Sequence, residues 1–273
     1  MTSETMHFFS VQIALLAVVL VLHTYIGLHI VRRTLIFSDL VLDQLAALGA
    51  LAGISLGTAY GCARSYLFST AAVLCGAVLL ALIAPKRRSV PREAVIGIMY
   101  ALALAASLLL GDKLTGGQAY VSKTLSGSML WVSWPLVGVT AAVYSALLWF
   151  HWAFRRQFIA LAEDASGVRN AKLWDFLLFA TQGIITVLIV PIAGVLLAYA
   201  FLMIPAAAGS MSRRSWSGAL IIGWTTGFAA CLIGLCLSYR LDLPYGPSLV
   251  VCLGVLFTVV LALRRTFAHW RGC

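Results

Sequence analysis

The sequence predicts an all-α integral membrane protein, a polytopic bundle of eight to nine transmembrane helices. Hydrophobic residues fill 62% of its 273 positions and charged residues only 10%, against about 25% charged residues in soluble domains. The mean hydropathy is +0.99. The apolar residues also form continuous runs near the length that a helix needs to cross a bilayer, about 20 residues. They lack the in-and-out alternation of a transmembrane barrel.

The runs lie at about 8–31, 38–61, 65–84, 94–111, 128–153, 174–192, 194–211, 216–238 and 246–263. The first is long and has no basic stretch before it, so it reads as a spanning helix rather than a cleavable signal. Residues 176–212 carry no charge over nearly twice one crossing, and Pro191 and Gly194 near the middle mark a hairpin turn. Pro205, further along, removes a backbone donor and is expected to kink its helix.

If all nine runs cross alternately, fifteen of the 19 basic residues fall on one side. They are Arg32, Arg33, Lys86, Arg87, Arg88, Arg92, Arg155, Arg156, Arg169, Lys172, Arg213, Arg214, Arg264, Arg265 and Arg271. Arg64, Lys113, Lys123 and Arg240 fall opposite. The basic side is cytoplasmic by the positive-inside rule, which puts the N-terminus outside and the C-terminus inside a cell (inner) membrane. The net charge of +10 then reflects topology, and no nucleic-acid partner is implied. Residues 1–273 read as one transmembrane domain.

Residues 37–61 hold the most informative pattern. Asp39 and Asp43 are four apart and so stack on one helix face, with Gln44 beside them. Ser38 and Asp39 suit a helix N-cap, but Asp43 lies a turn deeper, where a cap cannot account for it. A carboxylate facing lipid costs at least about 2.5 kcal/mol, so Asp43 is expected to face a pathway inside the bundle. Gly49, Gly53, Gly57 and Gly61 repeat every four residues and suggest a ridge on which another helix backbone can lie. His23, inside the first run, is a further candidate metal ligand with a structural role as the alternative. His29 reads as interfacial, and His7, His151 and His269 lie near run boundaries. Cys62, Cys75, Cys231, Cys236, Cys252 and Cys273 form no CxxC pair and read as small hydrophobes.

Residues 155–175, RRQFIALAEDASGVRNAKLWD, mix Phe158, Ile159 and Leu161 with both signs of charge. Such a segment forms either a short amphipathic helix that docks a soluble partner or a solvated connector. The chain has no GxxxxGK[ST] loop, HExxH or GxSxG motif. No catalytic residue and no bound cofactor are expected.

The run RRTLIFSDLVLDQLAALG resembles a segment of the ABC-transporter permeases for zinc, manganese and iron uptake, where it usually reads RR-x(3)-F-x-D-x(3)-H. The resemblance continues in order through PREAVIGIMYALALAASLLL, LSGSMLWVSW, GVLLAYAFLMIPAAAGSMSRR and SYRLDLPYGPSLVV, from about residue 12 to 263. It implies a permease domain that works as two copies in the lipid bilayer. It also implies a cytoplasmic ABC ATPase docked on residues 155–175, with Glu163, Gly167 and Arg169 as coupling residues, and an extracytoplasmic metal-binding protein. The transported substrate would be a divalent metal ion, with Asp39, Asp43 and Gln44 as the expected ligands. Asp43 stands where the family's pattern has histidine, and oxygen ligands suit harder ions such as manganese while imidazole suits zinc. Iron or a chelate also remains open as the substrate. A stand-alone secondary transporter with Asp39 and Asp43 as a proton or cation relay is the alternative, but the halves show no convincing repeat.

The alternating arrangement predicts that a single cysteine between Lys113 and Lys123 reacts with a membrane-impermeant thiol reagent in intact cells. One at Gly167 should react only after the cells are opened. Outside labelling at position 167 would contradict the threading.

Overall fold

A computed structural model describes residues 3–83, 91–127 and 132–270. The helices in chain order are α1 (Ser3–Arg32), α2 (Phe37–Ser55), α3 (Ala63–Leu82), α4 (Arg92–Lys113), α5 (Gly117–Ser126), α6 (Trp134–Ala153), α7 (Arg155–Glu163), α8 (Ala171–Ser212), α9 (Trp216–Leu241) and α10 (Tyr245–Trp270). Among the described residues, eight helices are long and apolar enough to cross a membrane. The chain is a polytopic helical membrane protein. Lys86, Arg87, Arg88, Arg271 and Cys273 lie outside the described residues.

The nine runs become eight long helices because 174–192 and 194–211 both fall within α8, which is 42 residues long. That length is about 63 Å at 1.5 Å per residue, twice the hydrocarbon thickness of a bilayer. Gly194, with φ 78° and ψ 162°, is non-helical and divides α8 into two arms. The break thus falls at Gly194, where the turn is expected, while Pro191 and Pro205 lie within the helical arms. A residue with no Cβ adopts positive φ without strain.

The residues group into two compact units. One comprises Arg32–Ser128 and Leu147–Tyr199, and the other Met1–Val31, Met129–Ala146 and Ala200–Cys273. In the first, α2 packs against α3 and α4, and α5 lies on α4. Gly49 permits the α2–α3 approach, since a Cβ there would stand 2.7 Å from the Phe68 carbonyl oxygen and from Ser69 Cα.

The expected ridge does not extend to Gly57 and Gly61. Helix α2 stops at Ser55, and both glycines lie beyond it at φ 83° and 77° with open space where a Cβ would be. Gly57 ends the helix. Its N–H donates to Ile54 O (2.9 Å) and the Thr58 N–H to Gly53 O (3.1 Å), the paired bonds of a Schellman turn. Gly53 meets the Thr58 side chain and the Phe68 ring rather than a helix backbone.

A more extended small-residue ridge lies in the second unit, on α9. A Cβ on Gly223 would stand 2.8 Å from the Pro205 carbonyl oxygen, and one on Gly227 2.9 Å from the Pro205 ring. Ala219, four residues earlier, abuts Gly209 and joins Leu28 and Ala206 in a buried cluster. Helix α10 packs on α9 and leaves Val251, Val255, Val259 and Leu263 exposed, 45–62% each. An apolar stripe of that kind suits lipid.

Gly49→Leu should sharply reduce the yield of monodisperse protein after detergent extraction. Gly97→Leu should leave it intact, since nothing lies within 4 Å of a Cβ built at Gly97. Equal yields of the two variants would contradict the close α2–α3 approach.

Candidate functional site: a buried acidic ladder

Asp39 and Asp43 are 2% and 0% exposed. Asp39 does not cap α2. The N-cap is Ile36, which has no side-chain bond, and Ser38 Oγ donates to Leu35 O (2.7 Å). Both carboxylates turn to α8. Gln182 Nε2 donates to Asp39 Oδ1 (2.8 Å), and Thr186 Oγ1 donates to Asp43 Oδ1 (2.9 Å). Each helix thus contributes two polar residues four apart, and both pairs run in the same chain direction. Such a ladder requires two helices side by side with one turn in register. Gly183, next to Gln182, leaves room for Val73 of α3, which covers the same segment.

One oxygen of each carboxylate is held and the other is not. Asp39 Oδ2 and Asp43 Oδ2 are buried without a hydrogen-bond partner. Gln44, also buried, donates from Nε2 to Ser107 Oγ of α4 (2.9 Å). Its Oε1 and that of Gln182 are likewise unpartnered. Two buried like charges repel strongly at low dielectric, so this site favours a cation or protons between them. Among the described residues, no three His, Cys, Asp or Glu side chains gather as a metal cluster.

His23 belongs to the other unit. Its ring, 2% exposed, stacks on Tyr144 at 5.6 Å and meets Phe201 edge-on at 6.5 Å, and Nδ1 donates to Val19 O. That environment is one of ring packing. His29 is buried between the rings of Tyr25 and Trp216. His151 is buried too, with Nε2 2.8 Å from Thr181 Oγ1. The Thr181 hydroxyl donates to the Leu177 carbonyl, so it receives the imidazole N–H.

The segment 155–175 contains the expected short helix, α7, followed by a 3-10 turn at Ala165–Gly167. Phe158 and Leu161 are its buried face, and Phe158 packs against the rings of His151 (4.3 Å) and Trp174 (5.4 Å). Glu163, Gly167 and Arg169 are exposed. Asp164 Oδ1 accepts from the Ser166 N–H and hydroxyl, which holds its carboxyl below the usual range.

An ion network outside the sequence expectations closes this end of the unit. Asp175 pairs with Arg33 and, at 3.6 Å, with Arg92, their side chains being 9–19% exposed. Arg92 also donates to Leu80 O, and Glu93 accepts from the Phe37 N–H at the start of α2. Three connections separated in sequence thus meet at one place.

The sequence from residue 6 to 264 matches the ABC 3 transport family. The chain belongs to the ABC 3 transport family. Relatives include an uncharacterized membrane protein of Synechocystis, 28% identical over 63% of each chain. Another is the chelated iron transport system membrane protein YfeD of Yersinia pestis, 25% identical over 63% of this chain and 59% of that one. The matched stretch therefore spans less than two thirds of these two relatives. Among solved structures, PsaBC from Streptococcus pneumoniae in complex with a Fab superposes with a TM-score of 0.77 at 20% identity, over 93% of this chain and 91% of that one. That likeness shows a shared fold.

The second polar ladder was legible in part. Thr181, Gln182 and Thr186 are the polar residues in an otherwise apolar stretch of α8, and Gln182 and Thr186 repeat the four-residue spacing of the aspartates. Ser107 and the Arg33–Asp175 pair carried no sequence signal.

Asp175→Ala should lower stability by about 3–5 kcal/mol, since removing one partner strands two partly buried guanidiniums. Thermal unfolding in detergent checks this. An unfolding temperature equal to wild type would show that the pair is screened by solvent.

Proposed function

We propose that the chain is the membrane-spanning permease subunit of an ATP-binding-cassette importer for divalent metal ions (zinc, manganese or iron), with Asp39, Asp43 and Gln44 as ligands along the path. Membership of the ABC 3 transport family supports the transport class, and the buried acidic ladder carries the choice of a cationic substrate. Two carboxylates with unpartnered oxygens inside an apolar unit have a physical cost unless a positive species visits them. A divalent ion neutralises both at once, and its passage is favoured when both are ionised.

The other components are proposals of the same reading. A separate ATPase supplies nucleotide hydrolysis, because this chain has no phosphate-binding loop. It docks on α7 and the segment after it through the exposed Glu163, Gly167 and Arg169, while Phe158 and Leu161 anchor α7 beneath. An extracytoplasmic binding protein delivers the ion, and a second copy of the chain completes the permease. The whole chain acts as one permease domain. The N-terminus lies outside and the C-terminus in the cytoplasm, with each arm of α8 crossing separately. The arms are about 35 and 27 Å long at 1.5 Å per residue, each near one bilayer thickness.

The test is metal uptake into proteoliposomes that hold the chain with its cognate ATPase. Asp43→Asn should cut uptake at least about tenfold at matched protein, in line with the cost of losing a metal-site partner. Asp39→Asn should act in the same direction. Normal uptake by Asp43→Asn removes the carboxylate from the path. Uptake by the chain without any ATPase overturns the importer reading in favour of a stand-alone carrier.

A further inference from the structure

Helix α8 supplies as much of the buried ladder as α2 does, and its part is chemically distinct. Gln182 is 0% exposed and uses its amide nitrogen on Asp39 Oδ1, which leaves Oε1 buried and unpartnered beside the carboxylate. With Asp39 ionised, chemistry fixes the orientation. Exchanging the amide atoms would set the carbonyl oxygen against Asp39 Oδ1, acceptor against acceptor. The unpartnered side-chain atoms of Asp39, Asp43, Gln44 and Gln182 are therefore all oxygens. A set of acceptors with no donor calls for a cation rather than an anion or another carboxylate. No imidazole joins them, because the one histidine of this unit, His151, gives its Nε2 to Thr181.

We infer that Gln182 is a selectivity-determining ligand of the transported ion. Its Oε1 joins Asp39 Oδ2 and Asp43 Oδ2 in an all-oxygen set that takes a hard divalent cation such as Mn²⁺ in preference to Zn²⁺. The inference rests on the metal-transport reading above. Two carboxylates match the charge of one divalent ion, and the neutral amide adds a further ligand without adding charge. Oxygen ligands suit hard cations, whereas zinc gains from nitrogen and sulfur. Thr186 has the separate task of orienting Asp43, since its hydroxyl proton is spent on Oδ1. Gln182 does both, positioning Asp39 with nitrogen and offering oxygen to the ion.

Binding of Mn²⁺ to the full chain in lipid nanodiscs, read from the loss of the free-ion electron paramagnetic resonance signal with Zn²⁺ as competitor, tests this. Wild type should bind Mn²⁺ and resist displacement by Zn²⁺. Gln182→Leu should weaken Mn²⁺ binding by about tenfold or more. Gln182→Glu, which keeps an oxygen, should retain Mn²⁺ binding and shows that position 182 tolerates change. Gln182→His, which offers nitrogen, should move the preference toward Zn²⁺ by about tenfold. Loss of both ions in equal proportion in Gln182→Leu, with an unchanged preference in Gln182→His, would make Gln182 a mere prop for Asp39 and overturn the inference. Variants that bind as wild type does would overturn it too. Failure of wild type to bind either ion would sink the transport reading itself.

Discussion

The hydrogen bonds from Gln182 and Thr186 to Asp39 and Asp43 are the constraint on which the acidic site depends. A carboxylate pair buried in an apolar unit is unstable without donors, and these two donors come from a helix 143 residues away in sequence. They fix both the position and the register of α2 against α8. A slip of one residue would carry Gln182 and Thr186 about 100° around the helix, away from both aspartates. The ladder therefore ties the geometry of α2 and α8 to the protonation and occupancy of the site. Because each bond engages a single oxygen of its carboxylate, the pairing holds the helices together and still leaves ligand atoms available.

The charged end of the same unit reinforces this arrangement. Asp175 lies two turns before Gln182 on α8, and its pairing with Arg33 and Arg92 anchors α8 beside the start of α2 and α4. Between these two levels, His151 bonds Thr181 and packs on Phe158 of α7. The surface helix, the ion network and the ladder are thus joined by contiguous contacts through one short stretch of α8. This gives the proposed ATPase docking segment a physical connection to the proposed ligands. Two discrete arrangements of that stretch would be needed for transmission.

Much of the fold was legible because bilayer length and apolarity are strong signals. The acidic pair also stood out, since two charges inside an apolar run have few structural explanations. Glycine spacing misled. Gly57 and Gly61 continue the four-residue period of Gly49 and Gly53, yet one ends the helix and both have positive φ. Spacing alone does not distinguish a glycine that admits a neighbour from one that turns the chain. The ridge formed by Gly223 and Gly227 meets Pro205 from another helix, and the sequence does not name the partner of a small-residue face. Gln182 and Thr186 carry a weaker signal because uncharged polar residues in a membrane helix often bond to their own backbone. Thr70, Thr225 and Thr226 do so here.

In the proposed pathway the ion passes between α2 and α8 at the acidic ladder. An anomalous-scattering map of the Mn²⁺-loaded protein tests it most directly. The ladder predicts a peak within coordination distance of both Asp39 and Asp43. A well-occupied ion elsewhere in the membrane region, with the two carboxylates still engaged only by Gln182 and Thr186, would contradict it.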